Sequence, residues 1–351
     1  MALIQLSAAE RLPRLAEFDT IVDARSENEF ALDRLPGAVN WPTLNNLQRH
    51  EVGWRYKQVH PFEARKLGAA MAARNIAEHI TQHVLERPRH WKPLVYCWRG
   101  GQRSGALALV LAQIGFTVTV VQGGYKAFRT AMLADTVRLC DQFGYRIVCG
   151  ATGSGKTRLL QALDRAGAQV LDLEGLANHR SSVLGAIPGL VQPCQKAFDT
   201  RVWDRLRGFD ARQPVFVESE SRKIGNVAVP AVLIEAMRQR GRCLNLVLSD
   251  AQRVALLLED YDFFVRDSAA FSERLDALVE LRGKAQVQRW KASIQDGDLV
   301  AVVRELLTVH YDPLYQQSIR RNFHHYAQAT TLVAPDRSPQ AMDALAATLL
   351  R

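Results

Sequence analysis

The sequence predicts an α/β protein of two domains in tandem, one over residues 10–135 and a three-layer α/β/α domain over residues 136–351. Three observations predict it. Short apolar runs ended by polar loops alternate with helically spaced apolar positions along the chain. One such run is followed by Gly150-Ala151-Thr152-Gly153-Ser154-Gly155-Lys156-Thr157, a glycine-rich loop that opens a helical stretch. Another is followed by Cys97-Trp98-Arg99-Gly100-Gly101-Gln102-Arg103-Ser104. With 351 residues, 48% of them hydrophobic, the chain can bury two cores at the usual ~100–200 residues each.

In the first domain the expected strands are 20–22, ending at Asp23; 93–96, ending at Cys97; and 117–121, ending at Gln122-Gly123-Gly124. Residues 104–114 and 126–143 have helical spacing. In the second domain the expected strands are 145–149, 169–171, 214–217, 243–248 and 331–333. Helical patterns at 157–166, 229–240 and 271–294 separate them, and that alternation defines the three-layer arrangement.

The charge balance is basic, 45 Lys and Arg against 36 Asp and Glu, a formal charge of +9. Such a balance favours polyanionic partners. Residues 1–10 are too short and polar for a signal peptide, and no apolar run reaches the ~18 residues of a membrane span. The expected location is the cytoplasm, with no membrane partner. The five cysteines form no C-x-x-C pair and no zinc-ribbon spacing. Cysteine chemistry therefore rests on single thiols, and Cys140, Cys149, Cys194 and Cys243 read as core or surface residues.

Cys97 is the candidate catalytic thiol. A strand delivers it to a short loop whose successive backbone N–H groups point toward whatever the sulfur carries. Gly100 and Gly101 permit the curvature, and Arg99 and Arg103 add positive charge. Both effects favour the thiolate, the reactive form. The alternative is an inert cysteine at a strand end. Around the loop, Ile21-Val22-Asp23-Ala24-Arg25 with Glu29-Phe30, then Leu35-Pro36-Gly37-Ala38-Val39-Asn40, and finally Gln122-Gly123-Gly124-Tyr125 resemble the motifs of a rhodanese-like domain. That resemblance implies that Cys97 carries a chalcogen as a persulfide or its selenium counterpart. The Cys-x5-Arg spacing also resembles a protein phosphatase loop, but the flanking motifs favour the rhodanese reading. Asp23 and Arg25 read as internal polar contacts.

The second loop matches G-x-x-x-x-G-K-[ST] in full and sits between strand and helix, the context the motif requires. Backbone N–H groups from Gly153 through Ser154 and Gly155 to Thr157 can cradle a diphosphate, with Gly150 opening the turn. Lys156 supplies a point charge, and the Thr157 hydroxyl could hold Mg²⁺. Asp172 and Glu174 after one strand, or Glu218 and Glu220 after another, could supply the carboxylate a nucleotide-hydrolysing site needs; each also reads as a helix cap or surface group. No N-K-x-D segment for reading guanine is present. Strand ends in such sheets share one ligand-binding edge. There His179, Arg180, Arg222 and Lys223 could contact a second phosphate-rich substrate.

The two loops joined in one chain resemble the tRNA 2-selenouridine synthase family, a rhodanese-like domain followed by a P-loop NTPase-like domain. Asp172-Leu173-Glu174-Gly175-Leu176-Ala177-Asn178-His179-Arg180, Glu218-Ser219-Glu220-Ser221-Arg222-Lys223-Ile224-Gly225 and His310-Tyr311-Asp312-Pro313-Leu314-Tyr315 resemble that family's signatures. The resemblance implies a transferase acting on wobble 2-thiouridine of tRNA. It implies an S-geranyl intermediate made from geranyl diphosphate, then selenium from selenophosphate, with Cys97 serving the selenium step. The P-loop could hold the diphosphate of geranyl diphosphate in place of a nucleotide. Arg320-Arg321-Asn322-Phe323-His324-His325-Tyr326 interleaves basic and aromatic groups, as suits an anticodon loop; the other reading packs Phe323 and Tyr326 inward. Two rival functions remain at this point: a small-molecule kinase fused to a sulfurtransferase, and a chalcogen carrier with a nucleotide-sensing module.

Overall fold

Five short parallel strands make the first sheet: β1 (Ala2–Ser7), β2 (Thr20–Asp23), β3 (Ala38–Asn40), β4 (Pro93–Tyr96) and β5 (Thr117–Gln122), in the order β1-β5-β4-β2-β3. The structure, a computed structural model, describes residues 2–99, 101–182 and 184–351. β4 is central and all four of its residues are buried, which explains its unbroken apolar run. β1 is an edge strand with Leu3 and Ile4 exposed, and its mixed sequence hid it from apolar patterning. Helices Asn46–Gln58 and Pro61–His83, also not anticipated, begin at clear signals: a reciprocal Asn45–Gln48 capping box and Pro61 in the first turn.

The first compact unit takes in the residues up to Thr136 together with Lys196–Arg207, which lie beyond the glycine-rich loop in sequence. Helix Gln195–Arg207 supplies that segment. Within the unit, the Trp203 indole N–H donates to Asp135 at 2.9 Å, Thr200 donates to Asp33 at 3.1 Å, and Arg129 pairs with Asp199 at 2.8 Å. Asp23 and Arg25 form a buried ion pair, with the guanidinium also donating to the Asp33 carbonyl at 2.7 Å.

The second unit, Val137–Gln195 with Gly208–Arg351, carries β6 (Tyr145–Cys149), β7 (Gln169–Leu171), β8 (Val215–Glu218), the antiparallel pair β9 (Lys223–Ile224) and β10 (Val227–Ala228), β11 (Arg242–Val247) and β12 (Thr330–Val333). Its main sheet is parallel in the order β12-β11-β6-β8-β7. β6 is the middle strand, so the loop after it opens at the centre of the sheet's carboxyl edge. Helix Lys156–Arg165 buries Leu159, Leu160 and Leu163 in a core shared with Met342 and Ala346 of helix Pro339–Leu349.

A helical region after β11 has its own core, including Phe271, Leu278, Trp290 and Leu306. The single helix expected over 271–294 is broken into Ser268–Arg274, a 3-10 turn Leu275–Leu278, Val279–Arg282 and Lys284–Gln295. Gly283, at φ +81°, makes the break. Burial follows the apolar period, but the period alone did not register the interruption. Leu306–Tyr311 forms a π-helical turn, a local distortion often found beside functional sites. Among the described residues, no helix is long and apolar enough to cross a membrane.

Candidate functional site

Cys97 follows β4 directly and is buried, 3% exposed. Its carbonyl accepts the Tyr125 N–H at 2.7 Å, which ties the loop to the turn after β5. Helix Gln102–Ile114 starts just beyond, with Gly101 at its N-cap. The Ser104 hydroxyl donates to the Cys97 sulfur at 3.1 Å. Burial opposes ionisation of this thiol. The hydroxyl and N–H of Ser104, the N–H of Gly101 and the charge of Arg103 outweigh it, and the pKa falls below the ordinary thiol value. Arg103 is itself held by Glu29 at 2.7 Å, so it cannot act as a free charge. Arg99 is exposed and lines a shallow groove with Gln122, Gly123 and Lys126. Gly100 lies outside the described residues. Ser104, seen in the sequence only as a helix start, is thus the nearest polar partner of the sulfur. Ser104→Ala is expected to raise the midpoint of the thiolate ultraviolet signal, taken as wild type minus Cys97→Ser, and to lower the thiolate fraction at neutral pH. An unmoved midpoint would remove Ser104 from this role.

In the second unit, Gly150, Gly153 and Gly155 adopt φ of +152°, +77° and +90°. A Cβ at Gly150 would lie 2.6 Å from the Leu246 carbonyl oxygen, so only glycine fits. The Lys156 ammonium donates to the Gly150 carbonyl at 2.8 Å, and among the described residues the buried Ser154 hydroxyl has no hydrogen-bond partner. The loop is braced from behind. Arg253 donates to the Thr152 carbonyl at 2.8 and 3.0 Å and pairs with Asp312 at 2.5 Å. The Tyr315 hydroxyl accepts the Gly150 N–H at 2.7 Å. Asp312 and Tyr315 come from the His310–Tyr315 motif, to which sequence reasoning gave no role; Arg253 carried no signal at all.

A cleft of about 610 Å³ opens over this loop. Its lining brings together Gly153, Gly155, Lys156, Thr157 and the expected contacts Asp172, Glu174, His179, Arg180, Glu218 and Glu220. Asp172 is the N-cap of helix Leu173–Ala177, accepting the Gly175 N–H at 2.8 Å. Glu174 accepts the Ser181 N–H. His179 is buried with Nδ1 unpartnered, and burial lowers its pKa. Arg180 lies 4.5 Å from the centre of the Tyr261 ring.

Glu218, at the end of β8, is 1% exposed, and among the described residues its Oε1 has no hydrogen-bond partner. Glu174, Glu218 and Glu220 each offer an oxygen, all within 4.8 Å of one another. Burial first, and neighbouring carboxylates second, raise the pKa of Glu218 and Glu220; burial is also the largest cause for Glu174. Three converging carboxylates with an orphaned buried oxygen fit a hard divalent cation, which would take the place of those protons.

Behind the cleft lies a small apolar chamber of about 60 Å³. The two share Thr152, Ser182, Leu257, Tyr261 and Tyr311. Past that mouth the chamber lining is Leu258, Phe264, Val265, Phe271, Leu299, Val303 and neighbouring leucines, with no charged group. Arg222 and Lys223, expected at the P-loop, turn away and line a separate groove with Arg321 and His324. The β9–β10 hairpin redirects the chain after Ser221. Phe323 is 4% exposed, and the Tyr326 hydroxyl reaches Asn245 at 3.4 Å. The aromatic half of that motif therefore packs inward, leaving its basic half outside.

A family model described as a rhodanese-like domain matches residues 7–131, and one described as the tRNA 2-selenouridine synthase AAA domain matches residues 144–284. Three curated proteins named tRNA 2-selenouridine synthase are similar to the chain. That of Sulfurovum sp. is 31% identical over 349 residues, spanning 89% of this chain and 94% of that protein. That of Bordetella bronchiseptica is 32% identical over 326 residues, spanning 84% and 87%. That of Nitrosomonas eutropha is 37% identical over 235 residues, spanning 66% and 60%.

Proposed function

The chain belongs to the tRNA 2-selenouridine synthase family, and from that premise we propose a two-step reaction on wobble 2-thiouridine of tRNA, with geranyl diphosphate as the first co-substrate and selenophosphate as the second. In the first step the thiocarbonyl sulfur bonds to C1 of the geranyl group and pyrophosphate leaves. In the second, selenium bonds to C2 of the base, geranylthiol leaves, and water takes the phosphoryl group as phosphate. Neither step gains or loses electrons. The expected setting is the cytoplasm.

The P-loop serves the first step. Its N–H groups and Lys156 would receive the diphosphate, and donors held at a leaving group lower the barrier to its departure. A Mg²⁺ ion held by Glu174, Glu218 and Glu220 would neutralise charge on that leaving group. Cys97 serves the second step. A thiolate held by Ser104 and the loop N–H groups can displace the geranylthio group from C2 and then be displaced by selenium. This route keeps selenium in one oxidation state, whereas loading it from selenophosphate onto the thiolate as a perselenide would require phosphorus to be reduced.

The observation that carries the choice of a prenyl diphosphate over a nucleotide is the uncharged pocket adjoining the P-loop cleft, whose 60 Å³ must widen to take a geranyl chain. A purine and ribose bring polar groups that such a lining would leave unpaired; a geranyl chain brings none. Val303 lines the chamber and is half-buried, so Val303→Phe narrows it without a full rearrangement of the core. Excluding one isoprene unit, five carbons at about 0.8 kcal/mol per buried carbon, costs on the order of 10³-fold in affinity. Calorimetric titration of Val303→Phe should show that loss for geranyl diphosphate and unchanged binding of inorganic pyrophosphate. Unaltered geranyl diphosphate affinity would contradict this use of the chamber.

A further inference from the structure

The groove lined by Arg222, Lys223, Arg238, Arg321 and His324 has a volume of about 600 Å³ and one carboxylate in its lining, Glu235. Several other arginines of the second unit are paired: Arg158 with Asp260 at 2.7 Å, Arg240 with Asp141 at 3.0 Å, Arg253 with Asp312 at 2.5 Å and Arg337 with Glu259 at 2.6 Å. Among the described residues, none of the side chains of Arg222, Lys223, Arg238 and Arg321 has a carboxylate within salt-bridge distance, 4.0 Å. Arg238 is half-buried, and among the described residues its Nε has no hydrogen-bond partner. Burial and the facing charge of Arg222 both disfavour its protonated form. Like charges gathered around an unsatisfied donor raise the free energy of the unliganded groove, and an anion relieves both costs.

The groove borders the P-loop cleft through the chain itself. Ser221 lines the cleft while Arg222 and Lys223 line the groove; Phe323 lines the cleft while Asn322 and His324 line the groove. Four cations along an open groove suit a run of phosphates better than one small anion. We infer that this groove grips the phosphate backbone of the tRNA and that the strand held there swings a base past Ser221 and Phe323 into the P-loop cleft. The grip depends only on tRNA being the substrate; delivery of the base rests on the two-step reaction proposed above.

The test measures binding alone, so that it stands apart from the geranyl chemistry. Full-length protein is titrated with 2-thiouridine tRNA by fluorescence anisotropy across a salt series, using Lys223→Glu, Arg321→Glu and the pair combined. Both residues are exposed, so folding should be retained, and thermal melting checks it. Each single variant should bind about 10-fold more weakly at low salt, and the pair about 10²-fold. The slope of log affinity against log salt should fall by about 0.9 for each phosphate that the groove no longer neutralises. Arg266→Glu, an exposed arginine outside the groove lining, should leave both quantities near wild type. Arg238→Gln adds a milder arm that keeps a donor while removing the charge. Wild-type tRNA affinity and salt slope in the Lys223→Glu/Arg321→Glu pair would overturn the inference. So would a groove that binds inorganic phosphate while these variants leave tRNA binding intact. If tRNA binding fails as expected but geranyl transfer is absent even from wild type, the groove stands and the proposed first step falls.

Discussion

Cys97→Ser is expected to abolish selenation while geranylation of 2-thiouridine tRNA continues at the wild-type rate. The substitution is nearly isosteric at a buried position, and a serine hydroxyl can keep the contact with Ser104, so the loop should hold its shape. What is lost is an ionisable nucleophile. A hydroxyl in the same place stays protonated near neutrality; the features that lower the Cys97 pKa among the described residues are hydrogen-bond donors and a cation, none of which would take its proton. Removal of a nucleophile costs roughly 10³-fold or more. Supplying pre-geranylated tRNA separates the steps, and Cys97→Ser should fail on it with selenophosphate present. Selenation at the wild-type rate would remove Cys97 from the chemistry.

Lys156→Ala is expected to show the opposite pattern: geranylation reduced roughly 10²–10³-fold, with selenation of pre-geranylated tRNA retained. Lys156 lines the cleft beside the three carboxylates and is one of the charges that restrains the rise in the pKa of Glu174, Glu218 and Glu220. Its loss therefore removes the proposed diphosphate contact and makes the cleft more negative at once. Geranyl diphosphate should then compete less well for the cleft, seen as a raised KM together with a lowered kcat. Normal geranylation by Lys156→Ala would rule out a role for the P-loop in that step.

Both loops were legible in the sequence because each concentrates its chemistry within eight consecutive residues and sits between a strand and a helix. The central strand β4 was legible for a related reason: burial on both faces demands an unbroken apolar run, and β6 follows it with Arg146 as the one interruption. The edge strand β1 was not, because half of it faces solvent. Helix Gln195–Arg207 could not be assigned to the first unit from sequence, since its anchors join partners far apart in the chain, Trp203 to Asp135 and Thr200 to Asp33. The P-loop brace is hidden in the same way. Arg253 and Tyr315 reach Thr152 and Gly150 from more than one hundred residues away. Ser104 was visible but read as a helix start, because nothing local says that its hydroxyl turns back to the sulfur.

The chamber was wholly illegible, since residues such as Val303 and Leu258 look the same in sequence whether they fill a core or line a cavity. The split between Ser221 and Arg222 was also out of reach. Their motif reads as one polar cluster, and only the β9–β10 hairpin shows that it serves two cavities. A motif thus marks where chemistry gathers, while the direction each side chain takes depends on backbone turns that tertiary pairing sets.

Whether one chain geranylates and then selenates the same base can be read by mass spectrometry of nucleosides from 2-thiouridine tRNA incubated with the purified protein. With geranyl diphosphate alone, S-geranyl-2-thiouridine should accumulate; on adding selenophosphate it should convert to 2-selenouridine with release of geranylthiol. Selenated uridine formed at the same rate without geranyl diphosphate, or tRNA left unchanged by folded protein and verified substrates, would contradict the two-step reaction.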